Sequence, residues 1–304
     1  MKRWFSLAVA MLLLWSVIPA ASAESTGVTV TDMEGREIQL DAPAERIVAL
    51  TAADCEILCA LGCADALVGR GEYCDYPAEV LDVPCVQSGA ETNIEQIIAL
   101  HPQVLLMSTM AQTVEQVEML ESAGIRVVTS NAHDLEGVYT SIGMIGKLMG
   151  KEAEADAIIA EMQSSFDSIR STAAESGKTV YFEVSPLQWG LWTAGHGTFM
   201  DEIATMCGLT NIFNDLEDWQ PVSEDQVIER NPDYIVTITM YYGEGPTPVE
   251  EIMSRPGWET INAVQNGNVL TMDNDVLSRP GPRLKDGALT LFELTAPQEA
   301  APAA

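Results

Sequence analysis

Six cysteines, three histidines and a small set of aromatic rings are the side chains in this 304-residue chain whose types could define a chemical site. Cys55, Cys59 and Cys63 recur at helical spacing in "ADCEILCALGCADAL", so one helix face would present them in a row. A bond within one regular helix is geometrically poor. Cys74 and Cys85 bracket a short loop and are the first pair to test for a disulfide. A metal cluster would want CxxC spacing or nearby histidines, and neither occurs. The thiols therefore read as small buried apolar groups, with at most one disulfide. His101, His133 and His196 make no HExxH motif and no pair at i, i+4. "AGHGTF" around His196 has no serine between its glycines and is no nucleophile elbow. With no phosphate-binding loop and no carboxylate dyad that stands out, catalysis has no visible constellation.

Rings at strand ends say more. Tyr73 and Tyr76 follow "ALVG", Trp189 and Trp192 follow "VYFEV", and Trp219 sits in "LEDWQPVS". Aromatics make up only 6% of the chain, so their gathering after strands is informative. In open α/β sheets ligands bind outside the carboxyl ends of the strands. Flat rings there suit a large, partly apolar ligand with a conjugated surface, or else cover a sheet edge. "SRPGPRLKDG" (278–287) is the one basic cluster, with Arg279, Arg283 and Lys285 around a Pro-Gly-Pro turn. A cation at a strand-end loop can hold an anionic ligand group. Arg283 reads instead as an anchor to the abundant carboxylates.

The elements that must position these residues alternate. "RIVALT" leads into a helix through Cys63, "PQVLLMS" into the helix "TVEQVEMLESAG" and then "IRVVTS". "KTVYFEV", the helix "GTFMDEIATMCG", "DYIVTIT" and "NVLTMD" follow. Such interleaving predicts α/β architecture with parallel sheets covered by helices. An internal echo goes further. "IEQIIALHPQVLLM" (94–107) and "EDQVIERNPDYIVT" (224–237) share a helix, a His or Asn stop, a proline and an apolar strand. Pro102 and Pro232 end the helix in each copy. Two similar lobes are expected, 24–137 and 178–295, joined by a mostly helical segment, 138–177, with an apolar face on each side of Gly150. A stiff connector would leave a ligand cleft between the lobes. The low-complexity tail, 296–304, reads as disordered.

The first 23 residues read as a signal peptide: Lys2 and Arg3, an apolar run from Phe5 to Val17, and "ASA" at 21–23. The first cysteine is Cys55, so a lipid-bearing cysteine at the new N-terminus is not expected, and the mature chain reads as exported and soluble. Fifteen basic against 45 acidic residues give −30. That balance excludes nucleic acid, whose phosphates need clustered Lys and Arg, and disfavours anionic lipid. It suits solubility.

These stretches together resemble one family. "RIVALTAADCEILCALGCADALVGRGEYCDYPAEV", "TNIEQIIALHPQVLLM", "TAGHGTFMDEIATMCGLTNIF", "WQPVSEDQVIERNPDYIV" and "RPGPRL" look, in this order, like substrate-binding proteins of cobalamin, iron–siderophore and haem ABC importers. The resemblance runs over roughly 28–294 and implies two Rossmann-like α/β lobes joined by a long rigid helix. It implies an exported, non-catalytic monomer with no intrinsic cofactor or metal. Its cargo would be a corrinoid, a ferric siderophore or haem, passed to permease subunits at the membrane. Tyr73, Trp192, Trp219, Asp275 and Arg279 match ligand-facing positions, and Glu95 and Asp225 match the acids that dock on the permease. Asp225 departs from the commoner Glu, with Glu224 beside it as a substitute. Gly89, Ser108 and Val276 stand where cobalamin binders can carry rings, which implies a wider or less aromatic cleft. Cys207 matches a disulfide cysteine whose partner is absent here. An exported α/β enzyme and a surface interaction module without ligand are the competing readings. An enzyme would need a nucleophile or metal constellation; a module would show no small-molecule affinity.

Overall fold

The computed structural model describes residues 27–89, 92–109, 113–241 and 243–296. The expected signal peptide and all of the expected tail but Ala296 lie outside them. The N-terminal part opens with a hairpin of β1 (Val28–Thr31) and β2 (Glu37–Leu40). There follow β3 (Ile47–Ala49), α1 (Ala52–Ala60), β4 (Leu67–Arg70), α2 (Ile94–Ala99), β5 (Val104–Met107), α3 (Val114–Ser122) and β6 (Arg126–Thr129). The sheet order is β4-β3-β5-β6, and each pair is parallel. Every residue of β5 is buried, as a strand covered on both faces requires.

Helix α4 (Leu135–Leu148) packs on β1 and α1, the chain turns at Gly150, and α5 (Glu152–Thr172) makes the long crossing. Its 21 residues span about 30 Å at 1.5 Å per residue. A Cβ at Gly146 would lie 2.5 Å from that of Ala155, so glycine is what lets α4 and α5 close on each other. The second part holds β7 (Lys178–Glu183), β8 (Trp192–Ala194), α6 (Phe199–Met206), β9 (Leu209–Asn211), β10 (Trp219–Pro221), α7 (Glu224–Arg230) and β11 (Tyr234–Thr237). It ends with α8 (Pro248–Met253), α9 (Asn262–Asn266), β12 (Val269–Thr271), α10 (Asn274–Ser278) and α11 (Leu284–Thr295), which lies along α5. Its parallel sheet is β12-β11-β7-β9.

The two sheets share one topology. Numbering the parallel strands of each lobe in chain order, both read second, first, third, fourth across the sheet. The echoed helices α2 and α7 both precede the third strand. His101 (φ 49°) and Asn231 (φ 45°) both take the left-handed conformation that ends a helix before a proline. Arg46 donates to the Leu100 and His101 carbonyls at the first stop, and the Asn231 side chain accepts from Asn262 N–H at the second. One hydrophobic core runs from β3 and β5 through α4, α5 and α11 into β7 and β11, so burial sets how the lobes sit together. The first helix is shorter than its sequence suggests. Gly62 (φ 74°) ends it, Cys63 N–H returns to the Leu58 carbonyl, and Cys63 falls outside the helix.

Asp54 is wholly buried in the first turn of α1. The Thr51 hydroxyl donates to its Oδ2 at 2.5 Å, while Oδ1 has no partner. Burial pushes its carboxyl up to about 6, against the pull of Thr51 and Ser130. The native state therefore holds this proton more tightly than the unfolded chain, and stability falls as pH rises from the ordinary 3.8 through about 6. The charged form costs on the order of 3 kcal/mol at neutral pH. Asp54→Asn is expected to stabilise the fold by roughly 1–3 kcal/mol near neutral pH and hardly at all near pH 4, measured by urea unfolding. Equal effects at both would remove the carboxyl's charge as the cause.

Candidate functional site

The loop after β4 sets one rim of the site. A Cβ at Gly71 would lie 2.2 Å from the Leu50 carbonyl oxygen, so only glycine lets the chain pass there. Cys74 then turns inward, fully buried, with its thiol donating to the Ala49 carbonyl. Its neighbours face out. Tyr73 is 70% exposed, and Asp75 is exposed beside it. Tyr76 lies under the Arg283 guanidinium, 3.9 Å from ring centroid to Cζ.

The opposite rim comes from loops after β7 and β11. The β8–β10 ribbon pairs Trp192 with Pro221 and Ala194 with Trp219, which puts both tryptophans on one face by strand alternation. Trp219 is half-buried against Phe199, centroids 5.5 Å apart. Trp189 is 73% exposed and Trp192 41%. Beyond β11, Met240 and Tyr241 are also exposed. Between these loops lie two adjoining cavities. One of about 380 Å³ is lined by Pro186, Trp189, Ile238, Met240 and Asn274. The other, of about 570 Å³, is lined by Leu187, Tyr241, Glu183, Glu244 and Glu251. Their floor is held by a buried pair, Arg255 bidentate to Glu183 at 2.7 and 2.9 Å, with Glu251 as a second acceptor and Trp258 beneath the guanidinium. Burial raises the Glu183 carboxyl despite Arg255. A larger groove of about 930 Å³ runs beside the edge strand β9, lined by Arg170, His196, Asp201 and Asn214, with no aromatic side chain in its wall.

Between the rims stands an ion-pair network across the lobes. Arg279 Nη1 donates to Glu56 Oε1 at 2.9 Å and to Asp75 Oδ1 at 2.8 Å, and Nη2 pairs with Asp275 at 2.7 Å. Arg283 grips the same Glu56 through Nε at 2.8 Å and Nη2 at 2.6 Å. Glu56 is buried on α1, while both arginines follow β12. On the other flank Phe199 N–H donates to the His133 carbonyl, Leu135 N–H to Glu202, and His133 meets Asp218 at 3.3 Å.

The structure joins the loop bearing Tyr73 to Arg279 and Asp275 through Asp75, and sets Trp192 and Trp219 on one face of the β8–β10 ribbon in the other lobe. Arg279, expected to meet a ligand, gives its guanidinium to three carboxylates. Trp219 supports the ribbon as much as it lines it. Met240 and Tyr241 were missed, although the rule that singled out loops after strands applies equally to "DYIVTIT". Gly89 takes φ 92°, where a side chain would be strained, so the missing ring is built into the backbone. Glu95 and Asp225 occupy the same second position of α2 and α7, exposed, with no side-chain partner among the described residues. Glu224 instead accepts from the Trp258 indole at 3.1 Å. All six cysteines are free thiols, and Cys74 lies beside Cys55 rather than bonded to Cys85. Cys207 is buried, and burial pushes its thiol up to about 12. Among the described residues no cluster could hold a metal ion, and no helix is long and apolar enough to cross a membrane.

Comparison with known proteins agrees with the two-lobed fold. A family model described as periplasmic binding protein matches residues 47–276. An uncharacterized ABC transporter substrate-binding lipoprotein YvrC of Bacillus subtilis is 34% identical over 273 residues, covering 88% of this chain and 84% of that protein. A vitamin B12-binding protein of Vibrio cholerae is 28% identical, covering 80% and 86%. Among solved structures, the periplasmic heme binding protein HutB of Vibrio cholerae superposes with a TM-score of 0.75 at 24% identity, covering 83% of this chain and 99% of that one. At that identity it supports the fold alone.

Glu56 is the carboxylate that pairs with Arg283 and one of three on Arg279, so removing its charge leaves the half-buried Arg283 guanidinium without an ion pair among the described residues. Glu56→Gln is expected to cost about 3 kcal/mol in urea unfolding. A loss within the roughly 0.5 kcal/mol of ordinary surface changes would show that the network does not hold the lobes.

Proposed function

The chain belongs to the periplasmic binding protein family, and from that premise we propose that it captures a bulky chelate between its lobes for an ABC importer. It acts outside the cytoplasmic membrane, and the cargo is a corrinoid, a ferric siderophore or haem. The observation that carries this reading is the pair of ring-bearing rims joined through Asp75 and Arg279. Tyr73 projects from one lobe, and Trp189, Trp192 and Tyr241 project from the other, all with surface that water alone covers. Large exposed rings gathered around concave walls mark a place where a partly apolar partner is buried. Among the described residues, nothing at the rims pairs a nucleophile with a base, which supports binding and release rather than transformation. The shared core and the Glu56 network resist wide hinge motion, so closure on cargo is small.

Delivery needs a second surface. Glu95 and Asp225 are exposed carboxylates at equivalent helix starts, one on each lobe, and are suited to meet cations of the permease. The tie between Glu224 and Trp258 leaves Asp225 as the free acid of its pair. The helix dipole favours both carboxylates at rest, so docking competes with only a modest local role.

Titrating purified protein with cobalamin, a ferric siderophore and haemin, and following tryptophan fluorescence, tests capture. Tyr73→Ala and Trp192→Ala are each expected to weaken the bound chelate by about tenfold. Unchanged affinity in both would remove the rims as the site. Glu95→Lys with Asp225→Lys is expected to leave the dissociation constant within about twofold while uptake into cells falls to background. Retained uptake would refute the docking assignment.

A further inference from the structure

We infer that the cleft selects cargo by charge, admitting neutral or cationic chelates and rejecting those that carry free anionic groups. This rests on the carrier reading above and deepens it. An anionic cargo needs cations it can reach, and the described rim residues offer no unpaired Arg or Lys side chain. Among the described residues, arginines near the carboxyl ends of the strands are engaged elsewhere; Arg36 pairs with Asp32 and donates to the Thr129 hydroxyl at the end of β6. Arg255 is 2% exposed at its side chain and saturated by Glu183 and Glu251. Arg279 is divided among Glu56, Asp75 and Asp275, and Arg283 is held by Glu56. Arg70 is buried, one Nη donating to the Gly71 carbonyl while its Nε has no partner among the described residues.

Carboxylates, in contrast, outnumber these cations. Arg279 and Arg283 are the two guanidiniums of the inter-lobe network, and three acids, Glu56, Asp75 and Asp275, pair with them, with Asp273 beside Asp275. Burial raises the Asp275 carboxyl, with Arg279 pulling it down and Asp75 and Asp273 pushing it up. Glu72 stands exposed beside Tyr73, and Glu244 lines the 570 Å³ cavity. The side chains of both are without a protein partner among the described residues. The rings add to this preference, because the faces of Tyr and Trp attract cations. A chelate with free carboxylates or unneutralised catecholates would bring like charge against like charge, which costs affinity and slows encounter. A neutral corrinoid or a cationic ferric hydroxamate would not.

The test uses the full mature chain and four probes: cyanocobalamin, the cationic ferric trihydroxamate ferrioxamine B, haemin, and a polyanionic ferric tris-catecholate. Fluorescence quenching is read at low and at physiological salt. The better of the neutral and cationic probes is expected to bind at least about a hundredfold more tightly than either anionic probe, with the gap narrowing as salt rises. Glu72→Lys with Glu244→Lys, at exposed positions whose side chains make no hydrogen bond or ion pair among the described residues, is expected to shift the anionic-to-neutral affinity ratio by about tenfold toward the anion. Haemin or the tris-catecholate binding as tightly as the best other probe, or a ratio that ignores the charge reversal, overturns charge selection and leaves the carrier reading standing. Failure of all four probes to bind overturns both.

Discussion

A single buried carboxylate, Glu56, holds the geometry of the site. It sits on α1 of one lobe and accepts from two arginines that enter from the other end of the chain. Ions removed from water are costly unless each is met by well-aligned partners. The aligned partners here span 223 and 227 positions of sequence, so the arrangement exists only when both lobes are folded and docked. Rim loops follow from it. Arg279 reaches on to Asp75, which places the loop bearing Tyr73, and Arg283 covers Tyr76.

The hydrophobic core works in the same direction. Its largest part passes from one sheet through α4, α5 and α11 to the other, so the lobes share interior side chains as well as a tether. A hinge built this way cannot open far without exposing apolar surface, at about 25 cal/mol for each Å². The placement of the rims is accordingly fixed by the fold itself. They combine uncovered rings with arginines already held by neighbours, a combination suited to stacking more than to ion pairing.

Much of this was legible beforehand. The duplicated helix–strand unit pointed to two lobes, and the matching topologies and the left-handed His101 and Asn231 give that echo its physical basis: a helix must stop before Pro102 and Pro232. Runs such as "VLLM" predicted buried parallel strands because their periodicity is a local property. Arg283 was rightly read as an anchor. Less was visible where partners are remote. The pairing suggested for Cys74 and Cys85 followed from nearness in sequence, whereas the fold sets Cys74 beside Cys55 of α1. The helix through Cys63 stopped early because Gly62 turned left-handed.

By itself the sequence determined the α/β class, the two-lobed plan, the absence of a catalytic motif and the rings after strands. These follow from composition and short-range periodicity, which act within a few residues. Tertiary structure alone decided which charges remain available. Arg279 looks like a ligand-ready cation in "SRPGPRL", and only the docking of that turn against α1 brings Glu56 to bind it together with Arg283. Trp219 likewise looks free until Phe199 packs beneath it. Electrostatic and packing partners are chosen by distance in space, and no rule along the chain reports that distance.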